Sequence, residues 1–539
     1  MADFKQADFL PVVRVPADIF SKPKMIFPRR RFLFCGQALR ENMHSFFAAN
    51  GFPLALGSAR GQSLLEMAFS MLLRPSHFHF AFFAACRGTI AAATAVLLVG
   101  AGSSAAGQQE PPAALAAGGY HSVAVDKEGV PFVWGMASYG ALAKGDSWRG
   151  GEEKDLFAFV WPYGYRLAPL RVEAADPQLL EGIAALSAGR HFTLALKRDG
   201  TVVAWGSNDF GQLGDGSTEK EGPFYEVGRM RSEPGLVTGP GGGDALRGVK
   251  AVAAGYQHAL ALTKDGKVFA WGDNSGGQLG NGREEAQSHP VEVLGIGGKG
   301  PLEKVRAVAA GTRHNLALLE DGTVVAWGSN TSGQLGNGEK KNSAFPVPVQ
   351  NPGGNGLLAG IQAVAAGTAC SLALGEDGSV YAWGDNSFGQ LGDGTRRDSA
   401  RPVAVKGLDG GGVLRGIAAI VAGRYFNAAL NDRGEVLAWG WNEAGLLGDG
   451  NLEGSLFPQW VREADGGGRL RDIVRLDAGS RHLLALRADG SLVAWGSNIA
   501  GQLGDAGKGS GLRPVTVKGI TLPGSKAGGG AGAAEANGG

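Results

Sequence analysis

Between Val305 and Trp327 the chain reads VRAVAAGTRHNLALLEDGTVVAW, three short apolar runs separated by turn residues. Val305 to Ala309, Asn315 to Leu319 and Thr323 to Trp327 are too short for helices and carry β-branched and aromatic residues, so each predicts a strand. Asp321-Gly322 joins the second run to the third, and this dipeptide tolerates the positive φ angles of a tight hairpin. A fourth run, Phe345 to Val349, contains Pro346, which suits a sheet edge. The runs are apolar at nearly every position instead of alternating, so the sheets are expected to be covered on both faces.

The same pattern occurs seven times. A Trp-Gly pair marks each copy at Trp134, Trp205, Trp271, Trp327, Trp383, Trp439 and Trp495. The spacing is 56 residues from Trp271 onward and 71 and 66 before it. A fixed period of this size is the mark of one supersecondary unit repeated. Four short antiparallel strands repeated radially make a β-propeller, and seven copies are enough to close a ring. The sequence therefore predicts an all-β, seven-bladed β-propeller of four-stranded blades over residues 114–522. Its first and last strands should meet by pairing or stacking. Residues 1–113 form an extension without repeats, and the Gly/Ala-rich stretch 523–539 is expected to be disordered.

Each copy closes on GQLG, beginning at Gly211, Gly277, Gly333, Gly389 and Gly501 and degenerating to GALA at Gly140 and GLLG at Gly445. Two glycines around a leucine read as a backbone-shape requirement, with the Gln satisfying loop amides. The combination of AG-x-x-H-x-LAL, DG-x-V-x-AWG and GQLG-x-G resembles the regulator of chromosome condensation repeat family over Ala114 to Ile520. The resemblance implies a seven-bladed propeller acting as an interaction platform. It also brings guanine-nucleotide exchange on a small GTPase as an alternative, together with chromatin binding and ultraviolet-B sensing. The Gly-Trp-Arg-His-Thr strings of the photoreceptor are replaced here by GGYHS, GYQHA and GTRHN, which argues against light sensing.

Charge and the amino-terminal segment shift the picture away from chromatin. The whole chain has 51 basic and 50 acidic residues. Residues 1–107 hold 11 against 5, which leaves 40 against 45 in the remainder. A net negative propeller argues against nucleic acid as the main partner, since phosphate neutralisation supplies much of that affinity. Arg87 precedes an apolar run, Gly88 to Ala101, followed by small residues, the layout of a secretory signal. An exported protein is expected, with an uncleaved amino-terminal membrane anchor as the alternative. Cys370 is the one cysteine beyond the extension, so no disulfide is expected inside the ring.

Four histidines, His121, His258, His314 and His482, share one repeat position, but Phe192, Cys370 and Phe426 occupy it elsewhere. Phe offers no lone pair to a metal, so this position predicts packed strand residues with a local partner for the ring nitrogen. Neither a nucleophile elbow, an HExxH zinc motif nor a phosphate-binding loop is present. The expectation is a non-catalytic, monomeric, protein-binding scaffold with no cofactor and no metal. Its partner's identity is not encoded in the repeat.

The binding residues are expected where the repeat departs from its period. The two long intervals contain DSWRGGEEKDLFAFVWPYGYRL and EKEGPFYEVGRMRSEPG. Both follow the GxL element, so they leave adjacent blades at one phase. Aromatic residues and arginine dominate binding hot spots, and loops on rigid scaffolds carry function. Trp148, Trp161, Tyr163, Tyr165, Phe224, Tyr225 and Arg229 are accordingly the candidate partner-binding residues. Trp441 and Trp460 in the sixth copy are read as covering the altered loop at Leu446.

Overall fold

The computed structural model describes residues 114–137, 140–142, 165–217, 230–507 and 509–523. Within them lie seven four-stranded antiparallel sheets, each built from four consecutive strands. Blade 4 shows the unit: Val305–Ala310, His314–Leu319, Val324–Gly328 and Ser343–Pro348. The second and third strands are buried almost throughout, because neighbouring blades cover both of their faces. No helix among the described residues is long and apolar enough to cross a membrane.

The fourth strands start two residues earlier than their apolar runs suggest. Ala326 pairs with Val347 but Gly328 pairs with Ser343, so the outer strand carries extra residues across a bulge. The Ser343 hydroxyl donates to the Phe345 carbonyl at 2.6 Å and shapes that bulge locally; Ser399 and Ser455 do the same in blades 5 and 6. A proline stands in all seven fourth strands, at Pro169, Pro234, Pro290, Pro346, Pro402, Pro458 and Pro514. Proline cannot donate to a further strand, so every outer edge resists edge-to-edge pairing.

First strands touch first strands from blade to blade, and the first strand of blade 1 (Leu115–Ala117) touches that of blade 7 (Ile473–Ala478). The ring is therefore closed, with these Ala-rich strands around its axis. Blade 1 keeps its own four strands, so closure is by stacking and not by strand exchange. Leu115, Ala117 and Trp134 pack against Leu484, Leu503, Val517 and Leu522 in one cluster across the seam.

The blades are joined through their tryptophans, all seven of which are fully buried. Each indole N–H donates to a backbone carbonyl in the GQLG loop of the preceding blade. Trp271 reaches Gln212, Trp327 reaches Gln278, Trp383 reaches Gln334 and Trp439 reaches Gln390, each at 2.9 Å. Trp495 uses Leu446 at 3.0 Å and Trp205 uses Ala141 at 3.2 Å. At the seam Trp134 donates to Gln502, again at 2.9 Å. The glycine that ends GQLG is required by the same contact. At Gly504, with φ +65°, a Cβ would stand 2.7 Å from the Trp134 Nε1 and 2.9 Å from Val517.

Strand order sorts the connections onto two faces of the ring. The AG-x-x turns between first and second strands and the loops between third and fourth strands share one face, called upper here. The Asp-Gly hairpins and the blade-to-blade connections share the lower face.

Candidate protein-docking face

Trp148, Trp161 and Tyr163 fall in segment 143–164, and Phe224, Tyr225 and Arg229 in segment 218–229, all outside the described residues. Tyr165 opens the fourth strand of blade 1, half-buried, opposite Met136. Both segments connect a third strand to a fourth, so the described residues that flank them lie on the upper face of adjacent blades. In blade 1 the loop residues that fix this connection elsewhere are exchanged together: Ala137 stands for the usual Asn and Ala141 for the usual Gln.

In blades 2, 3, 4, 5 and 7 these two side chains tie the loop. Asn330 donates to the Glu339 and Lys341 carbonyls and accepts the Leu335 N–H at 2.9 Å. The Gln side chain does accept a loop amide, as expected: Gln278 takes the Gly276 N–H at 2.8 Å, and its Nε2 donates to Asp273 at 2.7 Å. Blade 6 replaces that Gln–Asp pair by an apolar one, Leu446 and Trp441, buried in one cluster. Trp441 thus covers the altered loop. Trp460 does not: it lies on the outer strand, packs toward blade 5 and takes Arg469 over its ring at 4.1 Å.

The repeated histidines are wall residues, and their partners are not local but on the next blade. His121 pairs with Thr193 (3.0 Å), His258 with Asn315 (2.8 Å), His314 with Ser371 (3.0 Å) and His482 with Ser122 across the seam (2.8 Å). The Cys370 thiol faces Asn427 at 3.7 Å. Where the position is Phe, the next blade answers with an apolar residue: Phe192 packs with Ala259, and Phe426 with Leu483. Polar faces polar and apolar faces apolar at every interface, which is what burial demands. Burial lowers His121 to about 4 and His314 and His482 to about 3, and pushes the Cys370 thiol up to about 12. These groups stay neutral near pH 7, and no cluster among the described residues could hold a metal ion.

One buried carboxylate interrupts the apolar axis. Asp477 stands in blade 7 where the other first strands carry Ala, Val or Ser, and its Oδ2 accepts the Ala117 N–H across the seam at 2.8 Å. Desolvation raises it to about 7, against the pull of the Ala117 and Ala478 amides and of Arg475.

The upper face itself is built from the two residues between the AG glycine and the histidine position, which differ from blade to blade: Gly-Tyr, Arg-His, Tyr-Gln, Thr-Arg, Thr-Ala, Arg-Tyr and Ser-Arg. They form a rim of arginines and rings. Arg190 lies over Tyr256 at 4.8 Å, and Tyr120 stacks with His191 at 6.2 Å. Arg424 lies over Tyr425 and Arg481 over Trp441, both at 4.9 Å. Phe388 extends this side, 4.9 Å from Tyr425 and 6.0 Å from Trp441. Lower-face arginines are engaged differently. Arg415, Arg469 and Arg487 form ion pairs with Asp377, Glu435 and Glu463. Among the described residues Arg190 and Arg481 form none, and Arg313 reaches Asp273 only at 3.8 Å. The repeat pattern concealed this rim because its residues differ between copies. The available signal was that difference itself, beside an otherwise constant motif.

Two measurements check the wall. His482→Phe alone should cost about 1–3 kcal/mol of unfolding free energy by denaturant titration, the scale for a broken buried polar pair. Adding Ser122→Leu recreates the Phe426–Leu483 pairing and should recover part of that loss; additive costs would show the pairing to be incidental. Asp477 supplies the pH test. Its folded value lies above the unfolded value of about 4. The wild-type protein therefore bears the buried charge in full above pH 7 and sheds it by protonation as pH falls toward 4. Asp477→Asn should raise the melting temperature most at pH 8 and progressively less as pH falls toward 4, whereas an equal change across this range would mean a hydrated carboxylate.

Residues 164–534 match the model of the RCC1-like domain. The chain is 30% identical over 390 residues to the ultraviolet-B receptor UVR8 of Arabidopsis thaliana, covering 72% of this chain and 77% of that protein. It is 31% identical over 367 residues to the E3 ubiquitin-protein ligase HERC2 of Homo sapiens, covering 67% of this chain but only 7% of that protein. Among solved structures, human WBSCR16 superposes with a TM-score of 0.56 at 26% identity, covering 72% of this chain and 93% of that one. Yeast RCC1 (Prp20), solved with Kap60, gives 0.55 at 21% identity over 78% and 90% of the two chains, a likeness of fold. With seven blades joined Trp to loop carbonyl and most of its length matched, the chain belongs to the RCC1-like domain family.

Proposed function

We propose that this protein is a non-catalytic platform that docks a protein partner on the upper face of its ring. The observation that carries this reading is the contrast between walls and rim. The walls match polar to polar and apolar to apolar at every interface, whereas the rim collects arginine, tyrosine and tryptophan, the residues that dominate protein-binding hot spots. Arg190 and Arg481 lie over aromatic rings and form no ion pair among the described residues, which leaves hydrogen-bonding capacity to a partner. Solved relatives are consistent with such a role: yeast Prp20p has been studied for binding Gsp1p and histones, and was solved with Kap60. Exchange on a small GTPase has only the family behind it.

The aromatic insertions extend this reading. Trp148, Trp161, Tyr163, Tyr165, Phe224, Tyr225 and Arg229 belong to connections rooted on the same face, and they would widen the docking surface at blades 1 and 2. We further place the protein outside the cytoplasm, on the basic flank and apolar run at Arg87 to Ala101.

A photoreactive side chain at Glu443 on the upper face should trap a protein partner in cells, and the same group at Asp432 on the lower face should not. Adducts from Asp432 alone would place docking on the other face and overturn the proposal. For location, amino-terminal sequencing of the mature protein should find a start between about residues 105 and 110. An intact Met1 terminus in the cytoplasmic fraction would defeat export.

A further inference from the structure

On the upper face, the connections between third and fourth strands change charge from blade to blade while their backbone stays the same. In blades 3 to 6 an asparagine Nδ2 donates to two carbonyls two residues apart. Asn274 reaches Arg283 and Glu285, and Asn330 reaches Glu339 and Lys341. Asn386 reaches Thr395 and Arg397, and Asn442 reaches Asn451 and Glu453. The tripeptides held in this way are Arg-Glu-Glu, Glu-Lys-Lys, Thr-Arg-Arg and Asn-Leu-Glu. Lys340, Lys341, Arg396 and Arg397 are all exposed, as are Glu284, Glu285, Leu452 and Glu453 at the same positions on either side. The two basic loops meet, since the Lys340 ammonium donates across to the Asp398 carboxylate at 3.1 Å. Asp398 is itself fixed, because its other oxygen accepts the Asn386 N–H, also at 3.1 Å. Lys341, Arg396 and Arg397 form no ion pair among the described residues.

Two neighbouring loops of one geometry thus present a basic strip, bounded by carboxylates in blade 3 and blade 6. The tied carbonyls fix the backbone beneath the cations, so mainly side-chain freedom is left to lose on binding. The loop itself does not require the charges, because it closes through the same bonds over Glu284 and Glu285 in blade 3 and over Leu452 and Glu453 in blade 6. The limits of the strip select among anions. A nucleic-acid duplex runs past two loops and would lay its phosphates on Glu284, Glu285 and Glu453. A phosphate is a dense dianion, best held by arginines gathered round one point, whereas these cations are divided between two loops. Carboxylates along an extended peptide carry one charge each and meet the cations singly, in the way Asp398 already meets Lys340.

Resting on the platform reading, we propose that Lys341, Arg396 and Arg397, with Lys340 bridging their loops, form a docking strip for a short glutamate- or aspartate-rich segment of the protein partner. The full chain is titrated against a labelled hexaglutamate peptide, with binding read by fluorescence anisotropy. The peptide should bind, and added salt should weaken it. Lys341→Gln with Arg396→Gln and Arg397→Gln should lower the affinity ten-fold or more. An equal loss of charge on the lower face, Lys264→Gln with Lys299→Gln and Arg415→Gln, should leave it within two-fold. Glu284→Lys with Glu285→Lys extends the strip into blade 3 and should raise the affinity several-fold, a gain that unfolding cannot mimic. Circular dichroism melts of each variant separate lost binding from lost folding. The strip is overturned by undiminished affinity in the folded upper-face variant or by an equal loss in the lower-face variant. Tighter binding of a phosphoserine peptide of equal charge, or of a short DNA duplex, overturns it as well. A partner trapped at Glu443 with no binding of the acidic peptide defeats the strip and leaves the platform standing. Trapping from Asp432 alone removes the platform, and the strip with it.

Discussion

The structure depends on one hydrogen bond made seven times, from a buried indole N–H to a backbone carbonyl of the preceding blade. An indole N–H buried without an acceptor would cost about 1–3 kcal/mol, so a ring with seven of them closes properly or not at all. The acceptor belongs to the main chain, so the side chain at that position is free to change. Gln212, Leu446 and Ala141 all supply the carbonyl equally well. What cannot change is the approach. The glycine two residues on must leave room for the tryptophan, as Gly504 does for Trp134. The ring closes through the same bond that joins its interior blades, which is why stacking suffices and no strand is exchanged.

The architecture was legible because period, strand length and turn chemistry all pointed to the same unit. The apolar runs located the strands to within a residue or two, and the Trp-Gly count gave the number of blades. The outer strands were misplaced by two residues, since the bulge at Gly328 and the Ser343 hydroxyl that shapes it involve polar residues that hydropathy ignores. The histidine position was recognised as structural, but its partner was sought nearby. Thr193 lies 72 residues from His121, and Ser122 lies 360 from His482. Only the ring geometry brings the residue after the histidine position in one blade beside the histidine of the blade before it.

That pairing explains how one position tolerates His, Cys and Phe within a single protein. Each exchange is matched across the interface, so burial leaves no mismatched polar group. The same rule operates in the loops, where the Gln278–Asp273 pair becomes Leu446–Trp441 in blade 6. Walls can therefore drift by compensated pairs while their shape is kept. Asp477 departs from this rule: its Oδ2 is bonded across the seam, while its Oδ1 is buried without a hydrogen-bond partner.

The rim follows the opposite logic. Its residues sit one and two positions from the most constrained contacts in the molecule, the AG glycine against the next blade and the histidine within the wall. At Gly311 a Cβ would stand 2.4 Å from His314, so the turn backbone is fixed from both sides. The two intervening side chains inherit that rigidity without contributing to it, which makes them free to vary in chemistry but not in place. A pre-organised side chain loses little entropy on binding. An arginine that lies over an aromatic ring gains further, because the ring restrains the guanidinium. A repeat fold thus converts seven nearly identical turns into one surface whose pattern is specific to this chain. That pattern was hidden in the sequence because searching for repeats discards what differs between them.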